Sequence, residues 1–519
     1  MKFFKLIFLL SMILFCSFFC YSQYGYYNDA IRFGQTFSGG SARIQSLGSV
    51  NTSLGGDVSS ISGNPAGLGF FNSNVLSFTA SSSFLKSSSL FRNESSKAST
   101  SNLGFDNLGI VFAIGKKSFD PNCSDCIKFN VGIGYNRIND FKETVFYNGF
   151  NNDNSIIDYF LKEAQGIPIS QIGNSNPIPG LELIQEAYDH YIINPGANDN
   201  LYYSFISGFP FQKEMIYNEG NQNQLSFSIG GNYQDNVFFG ASLIVNSIHF
   251  DQERLYTENQ FEIFENDKWS SENILDYLSL EDRLLITGSG ISSVLGFIIK
   301  PSPSINFGIS YNTKTYYRLK EESFSTLKSN YFNYYFSPED TILSYAQSST
   351  PNQNTRYTLI TPSKLSLGAT IFIKKYGFIS ADIDFVNYSI SKIKSDGNFD
   401  ASLDNDVIAD IYRPTSHYRI GAEARIKNHF YFRAGYQLLD NPYDKDLEYM
   451  HQYDKSRSVK TLGVGYMRDK LSIDISYRRE KKDDRISPYS YGGTREPIAR
   501  INYYRNSIIF SLGFKFINY

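Results

Sequence analysis

The stretch Phe129-Asn130-Val131-Gly132-Ile133-Gly134-Tyr135-Asn136 decides the fold class of this chain. Its odd-numbered residues are large and apolar, and its even-numbered residues are polar or are glycine. Side chains two residues apart point to the same face of a β-strand. The stretch therefore predicts a strand with one apolar face and one polar or small face.

The same alternation recurs on both sides of this stretch. It is found at residues 108–114, 225–229, 239–245, 462–466 and 471–475. We predict strands at 74–90, 102–116, 127–146, 222–234, 236–256, 284–300, 303–321, 354–374, 376–392, 413–427, 429–446, 454–468, 470–486 and 500–517. Several exceed the roughly 9–11 residues that a tilted strand needs to cross a bilayer. The pattern predicts an all-β fold, a transmembrane antiparallel β-barrel of about fourteen strands.

The connections between these strands differ systematically in length. Short turns fall near 235–236, 301–302, 374–375, 428 and 469, and long connections fall at 147–221, 257–283, 322–353 and 393–412. Outer-membrane barrels have short turns on the periplasmic side and longer loops outside. A soluble β-sandwich has no reason to sort its loops in this way, so the loop lengths favour the barrel over that alternative.

The composition agrees with a membrane barrel. The chain contains 39 tyrosines and 44 phenylalanines, which suit the aromatic girdles on either side of a barrel's apolar band. The last predicted strand has an apolar, aromatic-rich face formed by Ile508, Phe510, Leu512, Phe514 and Phe516. The net charge of −3 gives no basic surface that would favour nucleic acid.

The first residues predict export. A basic start precedes an apolar run from residue 6 to residue 19, which is the arrangement of a secretory signal peptide. We predict a signal peptide at residues 1–22. A retained anchor helix is disfavoured because a spanning helix needs about 20 apolar residues, and a lipoprotein attached through Cys16 or Cys20 is a further alternative. With the strands, the signal predicts a cell outer membrane of the Gram-negative type.

Residues 23–73 differ from the predicted strands. They are rich in Gly and Ser and show no sustained alternation. Glycine allows positive φ and a close approach of backbones, which suits a compact segment packed inside a larger structure. Apolar residues still recur from residue 31 to residue 68, whereas a solvated tail rarely carries so many. We predict an N-terminal hatch, or plug, inside the lumen of a barrel formed by residues 74–519; a flexible tail is the alternative.

Several stretches of the chain, taken in order, match those of one known family. They are residues 29–33, 40–43, 54–57, 64–68, 288–290, 296, 301, 308, 310, 311, 361–364, 368, 421–423 and 433–436. Together they resemble the FadL-like outer-membrane transport proteins, the long-chain fatty acid and toluene transporter type. Asn64, Pro65, Ala66 and Gly67 resemble the signature that closes the family's hatch. The resemblance implies a fourteen-stranded barrel, a hatch in the lumen and the uptake of hydrophobic small molecules.

The expected function is passive transport and not catalysis. The five histidines form no HExxH pair, and the sequence contains no G-x-S-x-G elbow and no P-loop, so no catalytic residue, metal site or cofactor is predicted. The expected partners are hydrophobic small molecules such as long-chain fatty acids or aromatic hydrocarbons, with outer-membrane lipids and lipopolysaccharide around a monomer, and no nucleic acid. The alternative is a FadL-shaped barrel that acts as a docking or shuttle subunit of a protein-secretion assembly.

The longest predicted connection, 147–221, contains two short amphipathic helices. The residues at helical spacing are Ile156, Phe160, Leu161, Leu181, Ile184 and Tyr188. At the outer mouth of a barrel, such helices would form an apolar landing groove for a hydrophobic molecule. The alternative is that these faces only pack on each other or on the barrel rim.

Three further groups of residues are considered as sites, and none of them indicates a catalytic function. Cys123 and Cys126 lie in a predicted periplasmic turn, where a local disulfide or an incidental pair is expected. Residues 440–446 offer oxygen ligands for calcium but lack the glycine and the closing glutamate of an EF-hand. Residues 478–485 carry mixed charges near the predicted outer rim, where they would touch lipopolysaccharide phosphates or form a solvated strand end.

Overall fold

The computed structural model describes residues 25–35, 39–114, 127–173, 180–206, 208–265, 268–270, 274–397, 399–427, 429–444, 454–492 and 495–516. The predicted signal peptide at 1–22 and the pair Cys123 and Cys126 lie outside these residues. So do residues 445 and 446 of the loop 440–446.

None of the helices in the described part of the chain is long and apolar enough to cross a membrane.

Fourteen strands of the described residues form one closed wall. They are β1 (Asn74–Phe91), β2 (Glu94–Ala113), β3 (Ile127–Asp140, continued by Glu143–Phe150), β4 (Phe209–Tyr233), β5 (Val237–Glu265), β6 (Leu275–Ser302), β7 (Ile305–Asn312, continued by Tyr316–Phe336), β8 (Gln353–Ile360, continued by Lys364–Ile373), β9 (Gly377–Asn387, continued by Lys392–Ser395), β10 (Pro414–Ile426), β11 (Phe430–Leu439), β12 (Arg457–Arg468), β13 (Leu471–Ile486) and β14 (Ala499–Phe516). Each strand pairs antiparallel with the next. The last strand pairs with the first, with Phe516 opposite Asn74. The predicted fourteen-stranded antiparallel barrel is confirmed.

Apolar side chains cover the outside of this wall. Ile133 of β3 lies between Ile110 of β2 and Phe227 of β4 in the strand register. Ile133 is 39% exposed and Phe227 is 45% exposed, whereas Asn130 at an even-numbered position is 2% exposed. The period-two pattern of the sequence therefore assigns the faces correctly: apolar rows point outward, where a bilayer would meet them.

The strands extend further at the long-loop end than the sequence pattern predicts. β4 begins at Phe209 and not at 222, and β6 begins at Leu275 and not at 284. Polar and charged cross-strand pairs hold these extensions, such as Lys328 of β7 with Glu281 of β6. The predicted connections 147–221, 257–283 and 322–353 are correspondingly too long, because strand pairing continues where the apolar alternation has ended.

Short helices and strands lie inside the barrel and at its long-loop end. The helices are α1 (Asp29–Arg32), α2 (Ala42–Ser46), α3 (Ile156–Ala164), α4 (Ile169–Ile172), α5 (Glu182–Asp189) and α6 (Ser402–Ile411). Single 3-10 turns are formed by Tyr26–Asn28, Val58–Ile61, Pro65–Phe70, Ser337–Glu339 and Tyr388–Ile390. Small strands are Asn194–Pro195 with Tyr202–Tyr203, Lys268–Ser270 on the end of β5, and Thr341–Ser349 on the end of β7. α3 and α5 confirm the two helices predicted in the longest connection.

Candidate functional site

Residues 25–35 and 39–73, which we call the N-terminal segment, pack against the inward-facing side of the wall. The Asn64 side chain is fully buried and ties the segment together. Its Nδ2 donates to Thr52 O at 2.6 Å and to Ile309 O of β7 at 3.3 Å, while its Oδ1 accepts from the backbone N–H of Ala66 at 3.1 Å. Asn64 thus caps the turn Pro65–Phe70 and fastens it to the wall.

Rows of wall glycines make room for the segment. Gly230 of β4, Gly240 of β5 and Gly296 of β6 are direct neighbours in the strand register. A Cβ on Gly296 would lie 1.8 Å from Asn64 Oδ1, and a Cβ on Gly240 would lie 2.4 Å from the carbonyl carbon of Pro65. Only glycine permits so close an approach. Two further register pairs receive the segment in the same way, Gly308 with Gly368 at Thr52 and Gly421 with Gly435 at Leu47 and Gly48.

Buried charges add a second set of anchors. Asp382 of β9 accepts the backbone N–H of Asn51 at 2.9 Å and of Thr52 at 3.0 Å, and Arg419 of β10 lies 3.5 Å from the same carboxylate. Arg43 of the segment pairs with Glu423 of β10 at 3.3 Å. Charge-assisted bonds of this kind are about twice as strong as neutral ones, and a lone partner left buried is strongly destabilising. The segment is therefore fixed to the wall through side chains far away in sequence.

A chamber of about 380 Å³ lies between the segment and the outer loops. Its lining includes nine arginines and lysines and six carboxylates, contributed mainly by β3, β12, β13 and β14. One side is apolar, formed by Ile31 and Phe141 with Phe250 and Ile138. The chamber thus offers an apolar surface opposite a charge-dense one, which suits a molecule that has both kinds of group.

The charged run 478–485 lines this chamber and is not confined to the outer rim. Arg478, Glu480 and Lys482 alternate on the inward face of β13, whereas Arg479 and Lys481 are exposed outside. The Glu480 carboxylate lies 3.0 Å from Arg478 Nη2 and 3.7 Å from Arg457 Nη1. Half of the side chains in this run point into the lumen, because side chains alternate between the two faces of a strand. The position near the outer rim and the contact of the outward half with lipopolysaccharide stay predictions.

The helices α3, α4 and α5, which we call the outer cap, pack on the extended strands. Their buried cluster includes the side chains of Ile156, Phe160, Leu181, Ile184, Leu278, Leu280, Leu327 and Tyr331, with Leu161 and Tyr188 partly buried beside it. Glu258 of β5 is buried beneath the first turn of α3 and accepts the backbone N–H of Ile156 at 2.8 Å. Four of the six residues predicted to line a landing groove are buried and the other two are partly buried, so an open groove requires movement of the outer cap and stays a prediction.

His190, just after α5, gives the outer cap a pH dependence. Its ring nitrogens lie 3.0 Å from Ser329 Oγ and 2.7 Å from Ser348 Oγ, and burial lowers the pKa of His190 from 6.5 to about 4. The folded cap therefore prefers the neutral ring. Burial of the neutral ring therefore stabilises the cap fully above pH 6.5, and this stabilisation is lost as the pH falls toward about 4.

We expect backbone amides of α5 to exchange faster with solvent as the pH falls through this range, after correction for the intrinsic exchange rate. Hydrogen-exchange mass spectrometry measures this effect. In the His190→Gln variant, which does not titrate, the corrected exchange should vary much less with pH. Equal pH dependence in both proteins would show that another group controls the cap.

In the described part of the chain, no group of three or more His, Cys, Asp or Glu side chains is arranged to hold a metal ion.

No model of a known protein family matches the chain, and no curated protein matches its sequence. Solved structures do match its fold. A FadL homologue of Pseudomonas aeruginosa superposes with a TM-score of 0.52 at 13% identity, covering 93% of this chain and 99% of that one. The P. putida toluene transporter TodX superposes with a TM-score of 0.50 at 13% identity, covering 93% and 100%. At this identity the likeness concerns the fold.

The wall and these likenesses define the class: the chain is an outer-membrane β-barrel of the Gram-negative type, with its apolar rows facing the bilayer. More particularly, its fold is that of the FadL type, which confirms the resemblance seen in the sequence.

Proposed function

We propose that this barrel is a passive channel for hydrophobic small molecules, such as long-chain fatty acids or aromatic hydrocarbons, with the N-terminal segment as its hatch. The observation that carries the proposal is the seating of the segment in rows of register-paired glycines, with a chamber left on the loop side. The fold shared with a toluene transporter and a FadL homologue supports it.

The chamber gives the proposed cargo a place to rest between the loops and the hatch. Its apolar side, formed around Phe141 and Phe250, removes hydrocarbon from water at a gain of roughly 0.8 kcal/mol per buried CH₂. Cargo would pass the outer cap, occupy the chamber and leave past the hatch. The proposal includes no cofactor and no energy source.

Filling the chamber should block uptake. Ser83 of β1 is buried and lines the chamber, while its neighbour Ser82 is exposed on the outside of the same strand. We expect Ser83→Trp to reduce entry of a labelled fatty acid into proteoliposomes severalfold, because the indole occupies the cargo's space. Ser82→Trp, the matched control, should transport normally.

If neither variant differs from empty liposomes or if both transport normally, the chamber is not the route. A barrel that transports nothing but retains a stoichiometric protein partner on purification would instead favour the docking or shuttle subunit of a secretion assembly.

A further inference from the structure

The outward face of four neighbouring strands, β12, β13, β14 and β1, changes from apolar to cationic at one level of the wall. Leu462 of β12 and Ile508 of β14 are each 60% exposed, and both lie opposite Tyr477 of β13 in the strand register. One outward position further toward the long loops, β12 carries Lys460 and β13 carries Arg479. The change therefore falls where the apolar band of the barrel meets the outer surface of the membrane.

Four exposed side chains form what we call the outer cation cluster: Lys86, Lys460, Arg479 and Lys481. Lys460 lies directly opposite Arg479 in the register of β12 and β13. Lys481 of β13 and Lys86 of β1 both lie opposite Tyr504 of β14, the strand between them. Because neighbouring strands are about 4.8 Å apart, the backbones at Lys86 and Lys481 are separated by roughly 10 Å. Two lysine side chains at that spacing reach a single anion between them.

The positive charge of this cluster is only partly balanced. Like charges directly opposite one another destabilise a strand pair, and Lys460 with Arg479 is such a pair. Among the described residues, Lys481 is the one member of the cluster that forms an ion pair, with the carboxylate of Asp483 at 3.2 Å. The Arg479 guanidinium carbon instead lies 5.6 Å from the centroid of Tyr504, toward the middle of the cluster. An anion from outside the chain would therefore stabilise this surface.

A polar donor and apolar side chains surround the cluster in a definite order. Asn506 Oδ1 accepts a hydrogen bond from Tyr477 Oη at 2.7 Å, which leaves the Asn506 amide nitrogen to donate. Phe84 of β1 lies opposite Asn506 and is 41% exposed, and Ile508 follows on the membrane side. A lipid whose phosphate lies above its acyl chains matches this order, because the phosphate meets the cations while the chains remain on apolar side chains.

We propose that the outer cation cluster binds a phosphate of lipid A, the phosphorylated lipid anchor of lipopolysaccharide. Arg479 donates paired N–H groups to the phosphate, while Lys481 and Lys86 supply point charges from the two sides of β14. The acyl chains lie on Phe84 and Ile508. Lipopolysaccharide forms the outer leaflet of a Gram-negative outer membrane, and the cluster lies at the long-loop end of the apolar rows, so lipid A is the phosphate-bearing lipid that this surface meets.

The bound lipid spans the place where the wall closes. β14 is the last strand and β1 the first, and their pairing completes the barrel. A phosphate held by Lys481 on one side of β14 and by Lys86 on the other joins three strands across this closure. The inference goes beyond the proposed transport function and does not depend on the cargo.

The test measures lipid binding to the full-length protein in detergent by native mass spectrometry. The probes are lipid A with two phosphates, the same lipid A after removal of its phosphates, and phosphatidylglycerol. We expect lipid A to bind at least about tenfold more tightly than either other lipid, because the cluster offers several cations to a doubly phosphorylated headgroup. This preference should fall as the salt concentration rises, since the cations are exposed.

The triple variant Lys86→Gln, Arg479→Gln and Lys481→Gln should lose at least about tenfold in lipid A affinity. The matched control is Arg318→Gln. Arg318 is exposed on the outward face of β7, across the barrel from β14, and its register neighbours Ser289 and Thr358 carry no charge. This control should bind lipid A as the parent does.

Three results would overturn the inference: equal affinity for lipid A with and without phosphates, phosphatidylglycerol bound as tightly as lipid A, or equal losses in the triple variant and in Arg318→Gln. If the triple variant does not assemble, Arg479→Gln alone decides, with a severalfold loss expected and unchanged affinity contradicting the proposal. In liposomes without lipid A, the triple variant should transport labelled fatty acid as the parent does. Absence of transport by the parent would count against the proposed function and leave the lipid A result standing.

Discussion

Deleting residues 24–60, with the predicted signal peptide kept, should turn this barrel into an open pore. About eight strands already enclose an interior that side chains can just fill, so fourteen strands leave space that the wall cannot close by itself. The N-terminal segment occupies that space. It packs closely on the wall glycines and is bonded to Asp382 and Glu423. In planar bilayers the deletion variant should conduct ions at the level of an open pore, while the parent stays nearly closed, and cells that carry it should become sensitive to polar antibiotics.

Single substitutions where the wall glycines contact the N-terminal segment should also raise the conductance. Gly296→Val places side-chain atoms where Asn64 Oδ1 now lies, 1.8 Å from the ideal Cβ, so the turn must move. We expect intermittent conductance from this variant, and partial opening from Asn64→Ala combined with Pro65→Ala. The matched control is Leu295→Val, one residue away on the lipid face and 56% exposed. A deletion variant that assembles normally yet conducts no more than the parent would show that the segment is a tail or a partner-binding arm.

The second large effect is expected on the lipid side of β3. Val131 lies on the outward face between Phe129 and Ile133, in the middle of the apolar row. An arginine near the bilayer midplane costs a barrel about 2–4 kcal/mol. Val131→Arg should therefore lower the free energy of unfolding by about this amount in a reversible folding assay in lipid bilayers.

The control for this experiment has to be chosen from the structure. From the sequence alone, Asn130→Arg is expected to be mild, because a polar lumen tolerates charge. The structure gives a reason to expect a larger cost: Asn130 is 2% exposed, and its Nδ2 donates to Leu68 O at 2.6 Å and to Phe71 O at 2.9 Å. Ser83→Arg, which faces the chamber, is the better control and should cost much less than Val131→Arg. Equal costs at these two positions would contradict the assigned faces.

Local patterning was enough to predict the wall. Period-two alternation located every one of the fourteen strands, since each lipid-crossing strand must show lipid an apolar face whatever its neighbours are. Strand lengths beyond the membrane could not be read in the same way. Above the apolar rows, pairing continues through polar side chains such as Lys328 and Glu281, which carry no alternation that a single sequence reveals.

The glycines of the wall could be seen in the sequence, but their function depends on the strand register, which the sequence does not show. In the sequence, Gly230, Gly240 and Gly296 are merely small residues on the inner face of three strands. Their register makes them neighbours, and a row of glycines on adjacent strands indicates that another backbone approaches the wall there. Once the strand register is predicted, the row of glycines could locate the part of the wall that Asn64 and Pro65 contact, without any further contact information.

The sequence by itself thus determined the barrel, the direction in which each strand face points and the separate character of residues 23–73, because these depend on short-range spacing. The tertiary structure alone decided which side chains meet inside the lumen. Asp29 and Tyr357 are 328 positions apart, and Tyr27 and Asp404 are 377 apart, so no local pattern could pair them. Closure of the wall brings these strands and the loop that contains Asp404 around one segment, and only that closure creates the chamber and the close contacts at the wall glycines.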